Sequence, residues 1–310
     1  MLRTARFSFF LILFHAKFLL GLEVNPRLVQ LVPPQSRLVA GMSSSAAQGT
    51  TGSFLLITQE NKADLADFFA LTGGDASRQL QSLLFVTAAE RGKSANEHSL
   101  LVSGQFDRDS IFRIEAAGTS RESYRGIPVL VVSAFLRERK TFDEVRWLAV
   151  PDAHIAVFGS VESVQRELDR WVDQSAPDET VLDGLHRLGG HDDSWCLLLA
   201  RDREGIAETV LGKLDPKLGA VAHEGGLLGY GIKFGRKIEI ATAADPFPAR
   251  SWKAPNDLPG VNSSATFHLF SFLPDEGSGS RATVKVSRKR YEEWIGKFER
   301  DPLLAKAAAK

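Results

Sequence analysis

Residues 186–193 read His-Arg-Leu-Gly-Gly-His-Asp-Asp, which puts two imidazoles and two carboxylates in one short run. Both groups suit zinc or manganese. His186, His191, Asp192 and Asp193 are therefore the candidate metal ligands, and a metal-activated water there would make the chain a metal-dependent hydrolase. Two features oppose that chemistry. Gly189 and Gly190 part the histidines, so the i,i+4 spacing of a helical ligand pair is unavailable. Asp192 and Asp193 stand where a strand is about to start, a natural place for turn carboxylates. The expectation is no metal and no cofactor, with these four residues as the alternative.

No other pattern assembles a reaction. G-x-S-x-G is absent, and the serine clusters at 43–45 and 263–264 fall in loop-like sequence. Gly225-Gly-Leu-Leu-Gly-Tyr-Gly231 has the wrong spacing for a dinucleotide fingerprint and runs into strand-like residues, leaving no helix N-terminus for phosphate. Gly205 to Lys213 ends in Gly-Lys but lies in helical sequence, with Leu214 where serine or threonine is needed. Asp152 and His154 read as turn polars. Cys196, the single cysteine, lies in the run Trp-Cys-Leu-Leu-Leu and reads as a buried thiol. Arg288-Lys-Arg290 with Tyr291 and Trp294 could form a basic and aromatic surface, but the aromatics fit the buried side of a helix better. No catalytic residue is expected.

The clearest folding signal is 144–173. Val145, Trp147 and Ala149 alternate, Pro151-Asp152 breaks the run, Ile155, Val157 and Gly159 resume it, and Ser160 caps a helix. Val161, Val164, Leu168, Trp171 and Val172 line one side of that helix. Further strands are expected at 37–42, 80–88, 98–106, 124–136, 195–200, 218–222, 227–234, 237–243, 266–273 and 281–286. Asn61 and Asp107 are expected to cap helices, the first with Leu65, Phe68 and Phe69 inward, the second with Ile111 and Ile114 inward and Gly118 at its end. A short helical piece at 182–188 and helices at 204–214 and after Ser287 complete the reading. Hairpins with helices interposed irregularly give an α+β fold: antiparallel sheets built from hairpins, with helices packed on one face. The ending repeats the order strand, Pro-Asp turn, strand, serine cap, Trp-bearing helix, which is read either as two related units by internal duplication or, since the residues between do not align at one offset, as a common hairpin-plus-helix unit used twice.

Composition narrows the function classes. Of 310 residues 44% are hydrophobic and 25% charged, an ordinary globular balance, and 38 basic residues match 38 acidic ones. Nothing global favours nucleic acid, which is not an expected partner. The one local excess is at 281–310, nine basic against four acidic, read as a solvated helix face and tail. At the N-terminus Arg3 and Arg6 precede the apolar run 7–14, of the length of a signal-peptide core, and His15 and Lys17 interrupt it. A charge near the centre of a spanning helix costs roughly 2.5–3.5 kcal/mol, which disfavours a transmembrane reading. Residues 1–21 are thus expected to be a signal peptide or an N-terminal anchor. Residues 22–175 form a first α+β unit, 176–190 a connector, and 191–310 a second unit with a loop-rich stretch at 245–264.

Several landmarks together resemble a family of uncharacterised predicted exported proteins of soil bacteria. They are Leu-Glu-Val-Asn-Pro-Arg-Leu-Val-Gln-Leu-Val-Pro-Pro from Leu22, Arg37-Leu-Val-Ala-Gly41, Leu71-Thr-Gly-Gly-Asp75 with Arg78, Ser103-Gly-Gln-Phe-Asp107, Tyr124-Arg-Gly126 and Ala156-Val-Phe-Gly159. The resemblance covers roughly residues 22–200 and implies a signal-peptide-bearing α+β protein, periplasmic or secreted, with no assigned catalytic residues. The expected function is non-catalytic binding or an envelope-associated role. The alternatives are the hydrolase above and a membrane-tethered interaction protein held by its N-terminal segment. No particular partner is indicated beyond envelope or membrane association through that segment.

Overall fold

The computed structural model describes residues 24–43, 59–73, 80–88, 97–114, 118–133, 145–189, 193–199, 227–245 and 281–291. The N-terminal segment 1–21, the expected helix at 204–214, the strands at 218–222 and 266–273, and nearly all of the loop-rich 245–264 lie outside these residues.

The order is α1 (Pro26–Leu31), β1 (Ser36–Ser43), α2 (Gln59–Thr72), β2 (Leu80–Ala88), β3 (His98–Gly104), α3 (Arg108–Ile111), β4 (Thr119–Tyr124) and β5 (Ile127–Val132). Then come β6 (Arg146–Asp152), β7 (Ile155–Ser160), α4 (Val161–Val172), α5 (Glu179–Leu188), β8 (Ser194–Leu199), β9 (Leu227–Lys233), β10 (Ile238–Asp245) and β11 (Arg281–Val286). All eleven strands join one antiparallel sheet in the order β11-β10-β9-β8-β1-β2-β3-β7-β6-β5-β4. The α+β class stands, with one sheet in place of several. β1 and β8 pair with Ala40 opposite Cys196, so residues from both expected units share a single ladder.

Local chemistry explains most boundaries. The Ser160 hydroxyl accepts from the Ser163 N–H at 3.4 Å and starts α4. Asp178 accepts from the Thr180 and Val181 N–H groups, and Gly189 ends α5 in the left-handed conformation at φ 61°. The expected connector at 176–190 therefore carries a helix of 10 residues. α1 was not foreseen, although Asn25 accepts from the Arg27 N–H and Pro26 opens the helix, which are ordinary start signals.

Several expectations change. α2 starts at Gln59, so Asn61 lies inside the helix and does not cap it. The single strand at 124–136 is a hairpin of β4 and β5, because Arg125 and Gly126 both take positive φ, 48° and 81°, as a two-residue turn requires. The helix capped by Asp107 is one turn long, ending at Ile111. Helices also cover both faces. One face packs Leu28 and Val29 of α1, Val164 and Leu168 of α4 and Leu185 of α5 against Leu84, Val86, Leu101, Trp147 and Val157. The other packs Phe68 and Leu71 of α2 and Ile111 of α3 against Leu83, Phe85, Leu100, Leu148 and Phe158. Successive strand residues point to opposite faces, so β3 is buried at all seven positions. That is why β6 does not alternate in burial as expected: Trp147 and Ala149 serve one core, Leu148 and Val150 the other. Among the described residues no helix is long and apolar enough to cross a membrane.

Candidate functional site

The polar chemistry inside the molecule gathers where β3 begins. His98 and Ser99 are neighbours in sequence and so face opposite sides of the sheet. Across β7 and β6 the register lines up Ser99 with Gly159 and Ser160 with Arg146. Gly159 is required there, since a Cβ would fall 2.5 Å from the His98 carbonyl oxygen and 2.8 Å from Ser99 Cα.

On the α2 side His98 Nε2 meets Asp64 Oδ2, and Asp64 Oδ1 lies 3.6 Å from Arg146 Nε. The side chains of Asp64, His98 and Arg146 are 2, 7 and 4% exposed. A carboxylate taken this far from water is strongly destabilising unless it is paired, and here it faces a guanidinium and an imidazole. Asp64 shares a stripe with Phe68 and Leu71 at i, i+4 and i+7, so α2 carries its charge on its apolar side.

On the α4 side the Ser99 hydroxyl donates to Glu167 Oε1, while Oε2 is buried without a hydrogen-bond partner. Burial pushes the Glu167 carboxyl up to about 8, against the Ser99 hydrogen bond and the charge of Arg166, which pull it down. At neutral pH this carboxyl holds its proton. Beside it Arg166 bridges Glu97 at 2.7 Å, near the rim of the core.

α4 is held from outside as well. Tyr124 and Arg125 donate to Asp169 at 3.1 and 2.9 Å, and Arg125 also to Asp173 at 2.8 Å. The Arg125 hydrogen bond holds the Asp173 carboxyl below its usual range. Arg170 Nε donates to the Gln30 carbonyl, and the Arg27 guanidinium lies 4.8 Å over the Trp171 ring.

A histidine on a carboxylate is the orienting half of a nucleophile–base–acid set. Ser99, the hydroxyl next to it in sequence, is turned to the other face of the sheet, so the two do not meet. What the arrangement does is brace α2 and α4 against β3 and keep one proton buried beneath α4.

The sequence candidates are placed differently. His186 is exposed in the last turn of α5, beyond which Gly189 reverses the chain. The Asp193 carboxylate accepts from the Phe234 N–H at 2.6 Å and its carbonyl from the Ser43 N–H at 2.9 Å, which ties the start of β8 to the ends of β9 and β1. His191 and Asp192 lie outside the described residues. Among the described residues no three His, Cys, Asp or Glu side chains are grouped to hold a metal. Asp152 accepts from the His154 N–H at 2.7 Å and pairs with Arg27, as expected of a turn. Cys196 is buried, and burial raises its thiol. Asp64 and Glu167 were missed. Each stands beside apolar residues, Asp64 before Leu65 and Glu167 before Leu168, but an acid at the rim of a helix stripe reads the same way in sequence as a buried one.

Three crystal forms of TP0453 resemble the chain in structure. Forms III, I and IV give TM-scores of 0.47, 0.46 and 0.47 at 10, 12 and 13% identity, covering 88% of this chain and 96–97% of theirs. No protein-family model and no curated protein sequence matches the chain.

Proposed function

We propose that this is an exported α+β protein that acts by binding, as a periplasmic, secreted or envelope-associated component with the sheet as its scaffold. The observation that carries the reading is the use made of the buried polar groups. Asp64, His98 and Arg146 under one helix and Ser99 and Glu167 under another are engaged in holding helices to the sheet. Export rests on the basic start and apolar run of residues 1–21. Cell fractionation with N-terminal sequencing tests it. A chain recovered outside the cytoplasm and shortened near residue 21 is the expected result. A cytoplasmic chain with its first residues intact would overturn export, and an intact but membrane-bound one would favour a tether.

We also propose that the scaffold is an internal duplication. Outward from the β1–β8 seam, one side runs β1-β2-β3-β7 and the other β8-β9-β10-β11. The two series have the same chain order and alternation of direction, and a helix precedes each, α1 before β1 and α5 before β8. A serine caps a helix after each outer strand, Ser160 after β7 and Ser287 after β11. On this reading the two halves would be related by a two-fold axis through the antiparallel β1–β8 seam. Residues 22–175 produced alone should then pair β1 with a second copy in place of β8 and sediment as a dimer. A folded monomer, or a chain that only aggregates, would count against the idea.

A further inference from the structure

The second half brings together a basic corner that the sequence disperses. The turn between β9 and β10 exposes Lys233, Arg236 and Lys237. Glu239 stands beside Lys233 in the β9–β10 register and beside Lys285 in the β10–β11 register, and its carboxylate takes the Lys285 ammonium at 2.6 Å. One residue past the Ile238–Val286 pair the chain leaves β11, and Ser287 is followed by exposed Arg288, Lys289 and Arg290. Tyr291 is buried and packs on Phe234 of the turn at 5.8 Å between ring centroids, which fastens the end of one segment to the tip of the other.

Among the described residues seven cationic side chains and two carboxylates, Glu239 and the Asp193 that accepts from the Phe234 N–H, thus share one corner of the sheet, in a chain whose charges balance overall. Adding Glu292 and Glu293, the next residues in sequence, still leaves an excess of positive charge. The cluster sits on a hairpin tip and on the strand end and helix start beside it. Its aromatics among the described residues, Phe234 and Tyr291, pack on each other, so they are not presented for stacking on bases. An exposed cluster of lysine and arginine suits a flat array of negative groups, where each cation near the surface adds attraction.

We propose that this corner docks the protein on an anionic phospholipid surface. The site is independent of the route of export, because the test uses purified full-length chain. Sedimentation with vesicles of phosphatidylcholine alone, and of an equimolar mixture with phosphatidylglycerol, reads the anionic component directly. Binding should favour the anionic vesicles and fall as salt rises. Reversing four charges, R236E/K237E/R288E/K289E, should weaken binding to anionic vesicles by about tenfold or more. A control that reverses two exposed cations far along the chain, R113E/R121E, should bind as the parent does. If the fourfold variant fails to fold, the neutral pair R236Q/K237Q replaces it, with an intermediate loss expected. Equal binding to neutral and anionic vesicles, or a fourfold variant that binds unchanged, overturns the proposal. Tighter binding to a single-stranded oligonucleotide than to the anionic vesicles would also overturn it, in favour of nucleic acid.

Discussion

Glu167 is the residue whose environment departs furthest from what its type suggests. Unfolded, its carboxyl releases the proton near 4.5; folded, it keeps it up to about 8. The native state therefore binds more protons across that window, and this group makes stability fall as pH rises through it. Glu167→Gln keeps an oxygen for the Ser99 hydroxyl and removes the titration. Its unfolding free energy in urea should gain on the parent's between pH 4.5 and 8, by up to about 1.4 kcal/mol per pH unit. A constant difference between the two proteins over that range would refute the assignment. A second residue is fixed by shape alone. A Cβ at Gly41 would lie 2.4–2.7 Å from three atoms of the Trp195 indole, a rigid ring directly opposite in the β1–β8 pair. Gly41→Ala should cost about 1–3 kcal/mol in chemical unfolding, the usual penalty of overpacking.

At the scale of elements, the helices are the parts whose partners the sequence left open. The apolar stripe of α4 was legible from Val164, Leu168 and Trp171, and its cap from Ser160. Which face of the sheet it covers was not, because a helix stripe records only that something apolar lies opposite. α2 shows the same limit: Phe68 and Leu71 point inward, and only the fold shows that inward means the face opposite α4. Asp64 makes that docking specific. Asp64→Asn removes the carboxylate charge facing Arg146 and His98 in the core, and should destabilise the protein by about 3 kcal/mol or more. Thermal unfolding measures it, and a change below about 0.5 kcal/mol, the range of ordinary surface substitutions, would mean that the charge does not brace α2.

At the scale of the molecule, an open sheet must guard its outer strands. The Arg125-Gly126 turn and the Ser133 N–H to Gly118 carbonyl bond at 2.8 Å set the phase of β4, so Thr119, Arg121 and Ser123 aim their backbone groups away from β5. A second β4 pairing antiparallel in the fullest registers would meet Arg121 with Arg121 or Glu122 with Glu122, like charges in contact. The double change Arg121→Thr and Glu122→Thr should therefore produce concentration-dependent self-association in light scattering, and a monomer at all concentrations would discount the guard. The sequence by itself determined most of the described strands, the caps Asp107, Ser160 and Ser287, the hairpin of β6 and β7 and the buried character of Cys196, because each depends on residues within a few positions of one another. The tertiary structure decided what depends on contacts far apart in the chain. Pairing β1 with β8 made one sheet of two expected units, and helices on both faces turned half-exposed strands into buried ones. Buried sites for Asp64 and Glu167 came from the same packing, since burial belongs to the assembled sheet and helices, and no local spacing encodes it.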